Sequence, residues 1–305
     1  MLYTNTDKDC IAKDPAVIEL GGKYFLYHSM RFDGKWRIGI AESDDGDNFT
    51  RTAILPITQE CEINGECAPG AIVIDGVVHM FYQTYGNGAN DAICHAVSCD
   101  GINFVKDETN PVFAPREPFA NMPEWSCGRA IDADVCISGD RLYLYFATRD
   151  KEFRRQICGA AYADIDSGFS RGSFTLSGDI VLEPILDWEQ ECIEAPASIV
   201  ENGRIYLFYG GAYNCAPQRI GCAVSDDGLH FERIFVEEAF MKEGRPGEWN
   251  ASESGHPYVY RANDGRILLY YQGSPDSGKS WYLSRAEIGF ENGIPVIKNK
   301  QEIIS

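Results

Sequence analysis

Along the chain, one alternation of polar and apolar positions returns five times: a glycine in a polar turn, then a run of aromatic and aliphatic residues. It reads GKYFLYHS from Gly22, GVVHMFYQT from Gly76, GDRLYLYFAT from Gly139, GRIYLFYGG from Gly203 and GRILLYYQG from Gly265. Shorter apolar runs lie just before the glycines, as at 71–74 and 197–200. β-branched and aromatic residues on both sides of a tight turn predict a hairpin. About twenty residues later a second phrase follows in three copies: IAESDDGDNF from Ile40, HAVSCDGINF from His95 and CAVSDDGLHF from Cys222. Its Asp-Gly pair predicts another hairpin turn, with the trailing Phe anchored in apolar packing.

Each copy therefore holds about four strands. No stretch keeps a helical spacing of apolar residues across four turns. A four-stranded unit repeated five times, at glycine spacings of 54, 63, 64 and 62 residues, predicts an all-β five-bladed propeller of antiparallel strands. The whole chain, 1–305, reads as this one domain, with residues 1–13 adding a strand to the last blade to join the ends.

Propellers bind ligands on the axis, against the innermost strand of each blade. These strands precede the hairpin glycines and carry Asp14-Pro15, Glu66-Cys67-Ala68-Pro69, Ile131-Asp132-Ala133-Asp134, Glu194-Ala195-Pro196 and Gly255-His256-Pro257. A lone Asp before Pro is ordinarily a turn residue. Five ionisable groups in nearly the same register predict a common site. With neighbouring blades about 72° apart, Asp14 and Glu194 face each other across the axis and Asp132 sits beside Glu194. A nearby anion raises a carboxyl pKa, so Glu194 suits a general acid and Asp14 a base for water. The wider carboxyl separation of inverting glycosidases, roughly 6.5–9.5 Å, leaves room for that water.

Trp125, Trp188 and Trp249 each lie in a loop entering an inner strand, where aromatic faces would meet sugar C–H groups. Arg129 and Arg285 are candidate donors to sugar hydroxyls or partners for the acids. His28, His79, His95 and His230 fall in or near the repeated strand phrases and are expected to be structural; His256 occupies the inner-strand register.

The net charge of −19 argues against nucleic acid, anionic membrane surfaces and polyanions, and leaves a neutral ligand such as a sugar. No apolar run approaches the ~20 residues of a membrane helix. Eleven cysteines without a Cys-x-x-Cys pair do not suggest zinc; they read as buried thiols in a reducing compartment, the cytoplasm, or a secreted protein if a leader has been removed.

The inner-strand motifs resemble glycoside hydrolase family 43 over nearly the whole chain. The resemblance implies an inverting hydrolase of α-L-arabinofuranosyl or β-D-xylosyl linkages in oligosaccharides or polysaccharides. It implies Asp14 as base, Asp132 as the pKa-modulating acid and Glu194 as general acid. Gly255-His256 matches a motif that holds a metal or ordered water on the axis, so calcium near His256 is a candidate, with no other cofactor required. The chain departs from the family's pattern at Cys67, where a Trp is usual, and at Ala133, where a Pro is usual. Asp134 rivals Asp132 for the modulator role. Two readings on the same architecture stay open: a carbohydrate-binding propeller without catalysis, and a phosphorylase, although the sequence shows no clear basic cluster for phosphate. Glu66 completes the set of candidate binding residues.

Overall fold

The computed structural model describes residues 3–5 and 10–300. Five antiparallel four-stranded sheets succeed one another, each built in chain order from the axis outward. The innermost strands are Lys13–Leu20, Glu66–Ile74, Ile131–Ser138, Ile193–Glu201 and Glu253–Arg261. Each packs against the innermost strands of both neighbours, and the first packs against the fifth, which closes the ring. The β-rich alternation thus folds as read, with four apolar clusters filling the spaces between blades.

The Ser-x-Asp-Gly phrase forms a wider turn than a two-residue hairpin. Ser43 Oγ accepts from Gly46 N at 3.0 Å, and Asp45 Oδ1 accepts from the backbone N of Asp47 and Asn48, each at 2.8 Å. The same bonds recur at Ser98–Gly101 and Ser225–Gly228. Side-chain oxygens satisfy the turn's donors, so the loop holds its shape without a strand ladder. The glycine carbonyl then receives a buried tyrosine from the preceding blade: Tyr27 to Gly101 at 3.0 Å, Tyr145 to Gly228 at 2.9 Å, and Tyr270 to Gly46 at 3.4 Å. The trailing Phe does anchor the turn, with Phe104 edge-on to Tyr27 and Phe231 edge-on to Tyr145. One hydrogen bond and one aromatic pair are together worth about 1–3 kcal/mol, so each such contact ties two blades together locally.

Ring closure differs from the expectation. The outer strand of the fifth blade is Ile294–Lys300, supplied by the chain's later end. The described part of residues 1–13 instead makes single bridges, Tyr3 to Leu283 and Ile11 to Trp281, before the first inner strand begins at Lys13. Leu283 N donates to Tyr3 O at 2.8 Å and Trp281 N to Cys10 O at 3.0 Å, so the two ends are still joined across the last blade.

Candidate active site

Every inner strand breaks register near its start, between Lys13 and Ala16 in the first blade and at the matching place in the others. At the break one residue takes a left-handed backbone: Asp14 (φ 50), Ala68 (φ 47), Asp132 (φ 50), Ala195 (φ 49) and His256 (φ 41). Such conformations are costly outside glycine and persist where the surroundings enforce them. Here side chains of neighbouring blades receive the exposed N–H groups. Asp14 N donates to Gln272 Oε1 at 3.0 Å, Ala68 N to Ser29 Oγ at 2.8 Å, Asp132 N to Gln83 Oε1 at 2.7 Å and His256 N to Gln218 Oε1 at 3.0 Å. The bulges re-aim side chains that a regular strand would direct elsewhere.

Those side chains converge on a cavity of about 230 Å³ at one end of the axis. His256 lies between two carboxyls: its Nδ1 is 2.8 Å from Asp14 Oδ1, and its Nε2 is 3.3 Å from Glu194 Oε1. Asp132, Glu194 and His256 each bring one atom within 4.8 Å of the others. Glu194 is heavily solvated by amides. Gln218 Nε2 donates at 2.6 Å and Asn214 Nδ2 at 3.3 Å to Oε1, and Gln156 Nε2 donates to Oε2. Asp132 Oδ2 is buried and has no hydrogen-bond partner among the described residues.

These contacts divide the protons. Burial works against the charge of Asp14, but the His256 and Lys13 cations outweigh it and hold its carboxyl well below the ordinary range. Burial likewise opposes an imidazolium, yet Asp14 and Glu194 raise His256 well above its usual value. Burial pushes Asp132 up to about 7; His256 pulls the other way, and the charges of Glu194 and Asp14 add to the rise. Glu194, burial notwithstanding, is held below its usual value by His256, Lys13 and the Gln218 amide. The expectation that Asp132 would raise Glu194 is therefore reversed, because His256 sits against Glu194. Asp132 is the carboxyl that holds a proton up to about pH 7.

Of the other predicted residues, Arg129 lines the cavity. Asp134 lies one step down the axis, where Ser198 N donates to its Oδ2 at 2.7 Å and Ser198 Oγ also bonds it; it lines a narrow channel beneath, not the cavity. Glu66 does not reach the cavity. Ala68 holds the left-handed position that Asp14, Asp132 and His256 hold in their strands, and Glu66 stands two residues ahead of it; Glu66 is fully buried, 3.0 Å from Lys106 Nζ and 3.6 Å from Arg37 Nε. Arg285 pairs with Asp47 of the first blade at 2.5 Å, outside the cavity.

The three loop tryptophans turn from the axis to fill space over strand glycines. Trp125 lies against Gly159, Trp188 against Gly211 and Gly221, and Trp249 against Gly273. Trp188 stacks on Tyr209 with ring centroids 5.9 Å apart. The cavity's aromatic rim comes instead from Trp36, Tyr85 and Tyr213. Tyr85 and Tyr213 stand just past the repeated runs FYQT and FYGG, the available signal for them. Arg149, Asn214, Gln83 and Gln156 were also missed, since they reach the axis from second and third strands and their connecting loops; Lys13 was passed over although it stands next to Asp14 on the inner strand itself.

A metal is poorly served here. Calcium takes six to eight oxygen ligands, and this group offers two carboxylates and a histidine. Both imidazole nitrogens already face carboxylates, and both Glu194 oxygens take amide donors. The geometry suits an imidazolium standing where a cation would.

Fold and site together define the class: a five-bladed propeller whose axial cavity gathers three carboxyls and an imidazole beneath an aromatic rim. The chain belongs to the glycosyl hydrolases family 43, whose sequence pattern matches residues 8–288. Among solved structures it is similar to a thermostable family-43 glycoside hydrolase (TM-score 0.77, 22% identity, 98% of this chain and 97% of that one). It is also similar to an α-L-arabinofuranosidase from Lactobacillus brevis (TM-score 0.72, 16% identity, 96% and 95%). In sequence it is 23% identical over 207 residues to a xylosidase/arabinosidase of Bacteroides ovatus, which covers 68% of this chain. The chain spans less than half of that relative, 45% of its length.

Proposed function

We propose that this chain hydrolyses glycosidic bonds with inversion, removing an α-L-arabinofuranosyl or β-D-xylosyl unit. The carrying observation is the placement of Asp14 and Glu194 on opposite sides of His256 in one cavity. Asp14, held ionised, accepts a proton from water as the water oxygen bonds to the anomeric carbon. The glycosidic C–O bond breaks, and Glu194 gives the leaving oxygen a proton passed to it from Asp132, which is protonated below about pH 7 and brings one atom within 4.8 Å of Glu194. An imidazole seated between base and acid keeps them apart, as the inverting mechanism requires. His256 supplies the positive charge between them, and no metal is needed for this step.

The substrate class follows the names of the similar proteins and the cavity's character. About 230 Å³ is below the roughly 300–1,000 Å³ of sites for drug-sized ligands, which suits a single sugar residue. Trp36 and Tyr85, edge to face at 6.2 Å, offer it an apolar wall. The reading is tested with aryl arabinofuranosides, xylosides and galactosides, following the first-formed anomer by proton NMR. Release of the inverted anomer from an arabinofuranoside or xyloside is expected; a retained anomer contradicts the mechanism.

A further inference from the structure

The protein carries 46 acidic and 27 basic residues, yet the cavity reverses that balance. Lys13, Arg129, Arg149 and His256 all line it, against Asp14, Glu194 and an Asp132 that is neutral below about pH 7. His256 is committed to Asp14 and Glu194. The remaining three cations come from two blades, Lys13 from the first, Arg129 and Arg149 from the entry and second strand of the third, and are poorly satisfied by the protein itself. Among the described residues the Arg129 guanidinium makes no hydrogen bond: its Nε is buried without a partner, and the nearest carboxylate oxygen, Asp91 Oδ2, is 3.8 Å away. The Arg149 side chain donates once, Nη1 to Phe153 O at 3.1 Å, and lies over Tyr213 at 5.5 Å. Lys13 Nζ sits over the Trp281 ring at 4.4 Å and faces the carboxyls.

A guanidinium presents five donors in a planar fork that matches a carboxylate. Two such forks with spare donors, opening on one cavity, exceed what a neutral sugar's hydroxyls call for. Resting on the reading of this cavity as the sugar site, we infer that, besides the neutral pentosyl unit proposed above, it accepts a sugar bearing a carboxylate, a uronic acid residue, with Arg129 and Arg149 receiving the carboxylate. The aromatic rim takes the ring face, and the charged pair selects the acidic sugar over its neutral parent.

Isothermal titration of the whole protein with D-galacturonate, D-glucuronate, D-galactose, D-glucose and inorganic phosphate tests this without relying on turnover. At least one uronate is expected to bind tenfold or more tightly than its neutral parent. The preference should survive in Asp14→Asn, which lacks the base, and shrink below about threefold in Arg129→Gln and in Arg149→Gln. Equal affinity for uronates and neutral sugars overturns the inference, as does a preference untouched by either arginine variant. Phosphate binding as tightly as the best uronate, with sugar phosphate as product, also overturns it and assigns the cations to phosphorolysis. Should Arg129→Gln fail to fold, Arg149→Gln and the loss of uronate preference between 50 mM and 500 mM salt carry the test. Failure of the hydrolase reading would appear separately, as absent turnover with the uronate preference intact.

Discussion

Nδ1 of His256 lies 2.8 Å from Oδ1 of Asp14, and this contact sets the charge state of the whole site. The imidazolium holds Asp14 ionised, and its other nitrogen, 3.3 Å from Glu194, holds that carboxyl down as well. His256→Gln removes the charge but keeps a polar side chain. Asp14 should then protonate at higher pH, so the acidic limb of kcat/KM moves up by a unit or more. Wild-type activity should be unchanged by EDTA, since the imidazolium serves as the local cation. An acidic limb that stays in place, or activity lost to EDTA and restored by calcium, would contradict this.

The alkaline side of the profile belongs to the Asp132–Glu194 pair. Asp132 is pushed up to about 7, above its ordinary value, so it is protonated below that pH and loses its proton as pH rises through it. Activity that needs this proton is therefore full below about pH 7 and falls above it. In Asp132→Asn only Glu194 can carry the proton, and Glu194 is held below its usual value. The alkaline limb should move to lower pH by at least one unit. A limb that remains near pH 7 in the variant would assign the titration to another group.

Gly255 marks a position where support of the site is mechanical. A Cβ there would lie 1.9 Å from Gln218 Oε1 and 2.7 Å from its Cδ. Gln218 accepts from His256 N and donates to Glu194, so it cannot shift without releasing both. Gly255→Ala is expected to lower kcat by tenfold or more with little change in KM, because a misplaced acid costs rate more than binding. Unaltered kcat would show that Gln218 does not position the acid.

Among the described residues the ends of the ring meet through backbone bonds to Trp281 and Leu283. Removing residues 1–12 deletes the backbone pairing of Tyr3 with Leu283 and of Cys10 and Ala12 with Trp281, together with buried Tyr3. A loss of several kcal/mol should lower the melting temperature by about 5 °C or more, measured by differential scanning calorimetry. An unchanged melting temperature would mean that Ile294–Lys300 alone secures the last blade.

Fold and acids were legible in the sequence for one physical reason: a blade is a local unit, and its turn glycine gives every inner strand a common origin. Asp14, Asp132, Glu194 and His256 were found by that origin. Glu66 was misplaced because the count from the turn glycine varies by a few residues from blade to blade; Ala68, eight positions before Gly76 as Asp14 is before Gly22, takes the left-handed position at the axis. Trp125, Trp188 and Trp249 misled because an aromatic in a loop can as readily fill the space over a glycine as face a ligand; the strand glycines 159, 211 and 273 were the signal for that close approach. Arg129 was named as a candidate, but its grouping with Lys13 and Arg149 escaped notice because the three come from separate segments and meet only in the folded ring.

In the proposed mechanism Glu194 delivers the proton to the leaving group. Glu194→Gln keeps the shape of the side chain and cannot deliver it. Measured on an unactivated aryl glycoside that the wild type cleaves, with folding checked by circular dichroism, kcat should fall by about 10²–10⁴. Hydrolysis by the folded variant within tenfold of wild type would contradict the assignment.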